Sequence, residues 1–291
     1  MHQIITNIIV TGLIYSVFVL AIVLTFRIIG FADLTIEGSF SMGGAIIAML
    51  INSDFNPVIG MLFAFLGGAV AGFATAALHC FLRINKLLSG IITLSILFTV
   101  NIRIMGRPNF PILNKITLFD YFDNKFIQII ILLVIAGFVF LFLYWLLSTK
   151  FGLHLRTTGE NSKLLKKSGY NPTKYIIIGL VLSNGFIALS GSMLAQIQGF
   201  SDINMSGGLL ITVITSLLVG EKIIKPTSVL KLLFAAVTGA FIFQFVIGFA
   251  LKFNINPWDL KLLVALLFII ILVIEKLKKK TDQRNIGADF I

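Results

Sequence analysis

The chain has 291 residues, of which 58% are hydrophobic and only 12% are charged. A single soluble core cannot bury that much apolar surface, so the composition excludes an ordinary soluble domain and predicts an all-α, polytopic helical membrane protein. The net charge of +11 would suit nucleic-acid binding, but the basic residues lie in short loops and at the C-terminus, where they typically set membrane topology. We therefore expect membrane lipid, and no nucleic acid, around the chain.

Long apolar runs follow one another along the chain and predict about nine membrane segments. Two of them, 39–51 and 206–221, are shorter than the ~20 residues of a straight span. Both follow a repeated Gly-Phe-x-Asp signature, which begins at Gly30 and again at Gly199. The predicted segments are 4–27, 39–51, 57–82, 88–105, 126–147, 174–197, 206–221, 229–250 and 257–275.

The repeated signature indicates a single transmembrane domain, 1–291, that contains two repeat units, 4–105 and 174–275. An insert at 106–173 holds one helix and the longest hydrophilic stretch, and a basic tail follows at 276–291. If the tail is cytoplasmic and the segments alternate, most lysines and arginines lie inside and the two signatures face opposite sides of the membrane. The sequence thus predicts an inverted repeat, as in many transporters. The alternative is a chance alignment of glycines.

Residues with catalytic or metal-binding chemistry do not cluster along the chain. The sequence has one cysteine, Cys80, and no G-x-x-x-x-G-K-[ST] phosphate-binding loop. It also lacks a His/Cys/Glu group or a Ser/His/Asp set at recognisable spacing. We therefore expect no catalytic residue, no bound cofactor and no metal site on this chain.

Polar residues at membrane depth are costly, so they are candidates for lining a path through the bundle. For each of them, an interhelical hydrogen bond is the alternative explanation. Asp33 and Asp202 also precede short helices, so they could instead cap the free N–H groups of those helices. The path candidates are Asp33, Glu37, Asn101, Arg103, Asn184, Gln196, Gln198 and Asp202.

The longest hydrophilic stretch, 151–171, has the pattern of a turn followed by a short helix and a helix C-terminus. Asn161 or one of its neighbours can cap the helix, and Gly169 suits the position after its end. Two leucines form an apolar ridge with a basic rim, which would fit a groove on a soluble partner; the alternative is a loop that only anchors topology. The residues assigned to such a contact are Arg156, Gly159, Glu160, Asn161, Leu164, Leu165 and Gly169.

Several of these motifs, in order along the whole chain, resemble a known family. The pattern Leu155-Arg156-x-x-Gly159-Glu160-Asn161, followed by Gly169-Tyr170-Asn171, is similar to the ATPase-contacting loop of permease subunits in bacterial ABC importers of the branched-chain amino acid and ribose type. The uncharacterised tryptophan/tyrosine-type branch is more similar still, through residues 31–40, 102–109 and 199–202.

The resemblance implies the permease subunit of an ATP-driven ABC importer in the bacterial cytoplasmic membrane. The charge distribution described above places the C-terminus of this multi-pass protein in the cytoplasm. It implies a second permease copy in a homodimer, a cytoplasmic ABC ATPase that holds ATP and Mg, and an extracellular solute-binding lipoprotein. The solute would be an amino acid or similar small compound, moved by alternating access. The alternative is a stand-alone secondary carrier or channel that a gradient drives.

Overall fold

The computed structural model describes residues 2–112, 115–121 and 124–252, and beyond them 259, 262, 264–270 and 273. Most of this part of the chain is helical, so the predicted helical class is confirmed. A π-helical segment, Val23–Ile28, continues the first helix. The helices are α1 His2–Ile22, α2 Thr35–Asn52, α3 Pro57–Cys80, α4 Lys86–Met105, α5 Lys125–Ser148, α6 Lys150–Lys167, α7 Pro172–Gln198, α8 Leu209–Ile224 and α9 Val229–Lys252.

Among the described residues, six helices are long and apolar enough to cross a membrane, so nine spans are not confirmed. The two predicted short segments are α2 and α8, with 18 and 16 residues. The ninth predicted segment, 257–275, lies mostly outside the described residues, and the tail at 276–291 lies entirely outside them. The six candidate spans are Ile5–Ile28, Pro57–Cys80, Lys86–Met105, Lys125–Ser148, Pro172–Gln198 and Val229–Ala250.

Asparagine side chains define where four of the helices begin. Asn56, Asn85, Asn124 and Asn171 each precede a helix, namely α3, α4, α5 and α7, and each side chain accepts a hydrogen bond from the backbone N–H two residues further on. An asparagine at this position satisfies one of the N–H groups that the first helical turn leaves free. The segment boundaries therefore follow from local sequence.

The centre of the bundle is formed by α2, which packs against α3, α4 and α7. Two glycines allow α2 and α7 to cross closely. A methyl group at Gly43 would overlap the carbonyl oxygen of Ala188, and one at Gly191 would overlap the carbonyl oxygen of Phe40. Because main chain meets main chain at both points, any larger residue would force these helices apart. The rest of the bundle is built around α1, which packs against α5, α7, α8 and α9.

A short antiparallel ribbon joins two loops, and the all-α prediction did not include it. Strand β1, Asn109–Pro111, pairs with β2, Phe200–Asp202, with Phe110 opposite Ser201. The side-chain amide of Asn109 also donates to Asp202 at 3.0 Å. The ribbon therefore ties the segment after α4 to the second copy of the repeated signature.

The stretch predicted as a turn followed by a short helix is helical from its first residue, which corrects that prediction. Thr149 caps α6, because its hydroxyl accepts from the N–H of Gly152 at 3.4 Å. The helix then bends at Asn161, whose backbone is extended, with φ −153° and ψ 83°. The side chain of Asn161 accepts from the N–H of Leu164 at 3.0 Å, so it caps the second half of α6 as predicted.

Candidate functional site

The two copies of the repeated signature have the same local structure. Gly30 and Gly199 are both left-handed, with φ +63° and +73°. In each copy the aspartate, Asp33 or Asp202, accepts a hydrogen bond from the backbone N–H two residues further on, at 2.9 Å and 2.7 Å. Asp33 therefore accepts from the N–H of Thr35, the first residue of α2, which was the capping alternative that the sequence left open for it. Asp202 instead accepts within a turn that ends before α8 begins at Leu209. That the two units are inverted stays a prediction.

Asp33 also belongs to a buried polar network at the crossing of α2 and α7. The amide nitrogen of Asn184 donates to Asp33 Oδ2 at 2.7 Å, and the hydroxyl of Ser39 donates to Asn184 Oδ1 at 2.7 Å. Both Asp33 and Asn184 are almost completely buried. Asp33 lies in the loop between α1 and α2, outside the six candidate spans; burial raises the pKa of its carboxyl, and hydrogen bonds from Asn184 and Thr35 partly oppose that rise.

Glu37 links the two short helices. Its Oε1 accepts from the backbone N–H groups of Gly208 and Leu210, at 3.1 Å and 3.2 Å, so a carboxyl group on the first turn of α2 caps the N-terminus of α8. A negative group at a helix N-terminus is favourable because the free N–H groups carry positive partial charge. Glu37 therefore joins the start of α2 to the start of α8, and Asp33 accepts from the first N–H of α2.

Four of the predicted path residues line cavities, and Asp33 lines the smallest of these, of about 40 Å³. Glu37 and Asn101 line a cavity of about 400 Å³ between α2, α4 and the segment that precedes α8. Gln198 lines a second cavity of about 440 Å³, which lies between α1, α7, α8 and α9. The structure thus brings Glu37 and Asn101 together, although they are far apart in sequence, and places Gln198 elsewhere.

Arg103 lies on a polar stripe along α4. Ser95, Thr99 and Arg103 are spaced four residues apart, so they share one face of the helix, and all three are exposed. Such a stripe is costly against lipid chains. The four-residue spacing was visible in the sequence and would have added Ser95 and Thr99 to the path candidates.

Two other candidates already have polar partners that account for them. Gln196 Oε1 accepts from the N–H of Leu118 at 3.0 Å and its amide donates to Ser192, which anchors the segment after α4 to α7. Asp202 is bonded within its turn and to Asn109. For these two, and for Asp33 and Asn184, a role in a path remains a prediction.

The candidate partner-binding residues are distributed over both halves of α6. Leu165 is buried, whereas Leu164 is 55% exposed, so the predicted two-leucine ridge is reduced to one available side chain. Gly169 follows the helix end with φ +85°, as predicted. Arg156 donates to the carbonyl of Leu147 at 3.3 Å, which fixes α6 against the end of α5. Glu160 is exposed.

The first half of α6 packs on the π-helical end of α1. Gly159 lies so close to the carbonyl oxygen of Ile28 that a methyl group there would overlap it. In the same π-helical segment, Arg27 Nε donates to Glu221 Oε1 on α8 at 2.6 Å, and Arg27 Nη2 bonds the second carboxylate oxygen. Sequence reasoning missed this ion pair, because nothing in the spacing of two residues on different helices indicates that they meet.

The family assignment follows from a match that spans nearly the whole chain. The family described as "Branched-chain amino acid transport system / permease component" matches residues 4–273. The chain belongs to this permease family. The resemblance that the motifs carry is thereby confirmed, and the protein is an ABC-type import permease that passes through the membrane several times.

Individual relatives of this permease agree with the assignment. A tyrosine transport system permease protein of Clostridioides difficile is 37% identical over 284 residues, which cover 96% of this chain and 95% of the relative. An autoinducer 2 import system permease protein of Yersinia pseudotuberculosis is 24% identical over 263 residues, 87% of this chain and 72% of the relative. Among solved structures, PsaBC from Streptococcus pneumoniae in complex with Fab has a similar fold, with a TM-score of 0.57 at 16% identity over 92% of this chain and 90% of that chain.

Proposed function

We propose that this permease imports an amino acid or similar small solute by alternating access in an ATP-driven ABC transporter. Membership of the permease family supports the importer, and the relative named for tyrosine transport supports an amino acid as solute. In this proposal a separate cytoplasmic ABC ATPase holds ATP and Mg, and an extracellular solute-binding lipoprotein delivers the solute. The permease lies in the bacterial cytoplasmic membrane, with its C-terminus in the cytoplasm, and binds no cofactor itself.

The polar stripe of α4 supports a homodimer with the path at the subunit interface. Ser95, Thr99 and Arg103 are exposed on a helix whose other exposed residues include large apolar ones such as Phe98. Facing a second copy across a water-filled path would remove the cost of placing these polar groups against lipid. The cavity that Glu37 and Asn101 line also borders α4, so it would open onto the same path.

The position of α6 supports its role as the coupling helix, and this observation carries the proposal. The second half of α6 presents Leu164 among lysines, in a helix that ends at Lys167. The first half is wedged by Gly159 against the end of α1. A partner that pushes on Leu164 would therefore push on α1, because Gly159 leaves no gap between the two helices.

The short helices α2 and α8 support the inverted-repeat plan. Transporters with inverted repeats typically place half-helix N-termini near the middle of the membrane, beside the solute site. Here the starts of α2 and α8 meet through Glu37, and each follows one copy of the same signature. On this plan, the cavity beside Glu37 lies where the two repeat units face each other.

A pair of leucine variants tests the coupling role. Leu164 and Leu153 lie on the same helix and are both 55% exposed, so Leu153→Gln controls for the chemistry of Leu164→Gln. We expect Leu164→Gln to lose both co-purification of the ATPase and uptake of L-tyrosine in cells that express the whole transporter, while Leu153→Gln keeps both. Equal behaviour of the two variants at matched expression would contradict the proposal. Uptake by the permease without any ATPase would instead support the secondary carrier or channel.

A further inference from the structure

The cavity between α2 and α4 has the size of a small-molecule site. It has a volume of about 400 Å³, within the ~300–1,000 Å³ of typical ligand pockets. Its lining contains apolar side chains, such as Leu94, Phe98 and Ile203, as well as polar ones. The residues that the argument uses are Glu37, Ser41, Ser95, Phe98, Asn101 and Ser206.

Asn101 leaves one polar atom without a partner. Its amide nitrogen donates to the carbonyl of Gly38 at 3.1 Å, which fixes the side chain against α2. The Oδ1 atom belongs to a residue that is only 1% exposed, and it has no hydrogen-bond partner among the described residues. Leaving a buried acceptor unpaired costs about 1–3 kcal/mol, so a donor from a bound molecule would relieve that cost.

Glu37 presents a second free acceptor in the same cavity. Its Oε1 is occupied by the N–H groups of Gly208 and Leu210, which hold the carboxyl group in place. Its Oε2 has no partner within the described part of the chain. The hydroxyls of Ser41 and Ser206 are 2.8 Å apart, and Ser41 also contacts the carbonyl of Ile203, so these two groups are already engaged with each other.

The cavity therefore offers acceptors to a donor that carries positive charge. Its lining, as far as the structure describes it, contains no lysine or arginine that would pair with Glu37. The described residues also contain no group of three His, Cys, Asp or Glu side chains that would hold a metal ion. A primary ammonium group has three N–H donors and a positive charge, and the apolar side chains of the lining suit the rest of a small molecule.

We propose that this cavity binds the primary ammonium group of the transported solute, with Asn101 Oδ1 and Glu37 Oε2 as acceptors and Phe98 against the solute's apolar part. The inference rests on the proposed transport function and names the group of the solute that the permease itself recognises. In this proposal Glu37 has two roles: Oε1 accepts from the N–H groups at the start of α8, and Oε2 accepts from the ammonium group of the solute.

Cysteine labelling in membranes tests the proposal without the other subunits. Cys80 is the one cysteine of the chain and is free, so Ser95→Cys in a Cys80→Ala background gives a single thiol at the cavity. The probes are methanethiosulfonates that carry aminoethyl, trimethylammonioethyl or sulfonatoethyl groups. We expect the aminoethyl reagent to react about tenfold faster than the trimethylammonioethyl reagent, because only the former donates hydrogen bonds. The sulfonate reagent should be slowest.

Two further variants make this result specific. Thr99→Cys lies on the same exposed stripe but not in the cavity lining, so the preference for aminoethyl should be absent there. Glu37→Gln keeps an oxygen for the cap of α8 but removes the charge, and should abolish the preference at position 95. Asn101→Leu, which removes the other acceptor, should weaken the preference. An equal preference at 95 and 99, or one that survives Glu37→Gln, would overturn the proposal. Uptake that needs no ATPase, with the labelling pattern intact, would instead refute the proposed importer alone.

Discussion

The substitution Asn184→Leu should test how much the buried network contributes to stability. The change removes the donor to Asp33 Oδ2 and the acceptor for Ser39, both at 2.7 Å. A hydrogen bond to a charged group is worth about 1.5–3 kcal/mol and a neutral one about 0.5–1.5 kcal/mol. Because none of these groups can reach water, we expect the free energy of unfolding to fall by about 2–4 kcal/mol.

A second substitution separates the loss of this bond from the change in side-chain shape. An amide at position 33 costs less to leave unpaired than a carboxyl group, so in an Asp33→Asn background Asn184→Leu should cost about 1–3 kcal/mol less. Unfolding in mixed detergent micelles with increasing dodecyl sulfate, followed by tryptophan fluorescence, measures each corner of the cycle. If Asn184→Leu costs the same in both backgrounds, the bond between Asn184 and Asp33 does not stabilise the fold.

The pH dependence of the same variant gives an independent check. Burial raises the pKa of Asp33 above its unfolded value, and the hydrogen bond from Asn184 lowers it. A carboxyl group with a raised pKa in the folded state stabilises the fold at low pH, and this contribution is lost as the pH rises above the unfolded pKa. Since Asn184→Leu raises the pKa further, its cost should be larger at pH 8 than at pH 5. A cost that is independent of pH would contradict this account of Asp33.

Two other substitutions test packing and surface charge. Gly90→Ala would place a methyl group 2.8 Å from the backbone nitrogen of Leu34, whereas Gly137→Ala meets nothing within 4 Å, so Gly90→Ala should be less stable by about 1–3 kcal/mol in the same unfolding assay. A double-mutant cycle with Arg27→Ala and Glu221→Ala should give a coupling free energy below about 1 kcal/mol, because Arg27 is partly exposed. A difference of zero between the glycine variants, or a coupling above about 3 kcal/mol, would refute these estimates.

The sequence predicted the fold where local signals determine it. Apolar runs located the helices, and asparagine caps, such as that of Asn85, place their starts within a few residues of the predicted boundaries. The cap by Asp33 was one of two explanations that the sequence offered, and the structure supports it. The ribbon at Asn109–Pro111 and the helical start of α6 were not predicted. The ribbon has only three residues per strand and depends on its distant partner, so its own sequence carries no periodic signal.

The candidate site was less predictable, because its geometry depends on pairs of residues on different helices. Intramembrane polarity selected Glu37 and Asn101 as path candidates, and the structure places both at one cavity, while their role in a path stays a prediction. It also selected Asn184 and Gln196, whose hydrogen bonds within the bundle account for their polarity. Polarity alone cannot distinguish these two situations, since both make the residue costly in lipid. The difference appears only in the unpaired atoms, such as Asn101 Oδ1.

The contacts of α8 explain how the proposed push on α6 would reach the proposed solute site. Gly159 joins α6 to the end of α1, Arg27 joins that end to Glu221 on α8, and Glu37 joins the start of α8 to the cavity wall. A chain of contacts carries coupling only if one of them has two arrangements. The ion pair is the contact that a small shift can open, because Arg27 is partly exposed and ion pairs of this kind typically contribute little to stability. We therefore expect Arg27→Ala to lower ATP-driven uptake while the free energy of unfolding changes little. If uptake falls only in proportion to the amount of folded protein, the pair has a structural role only.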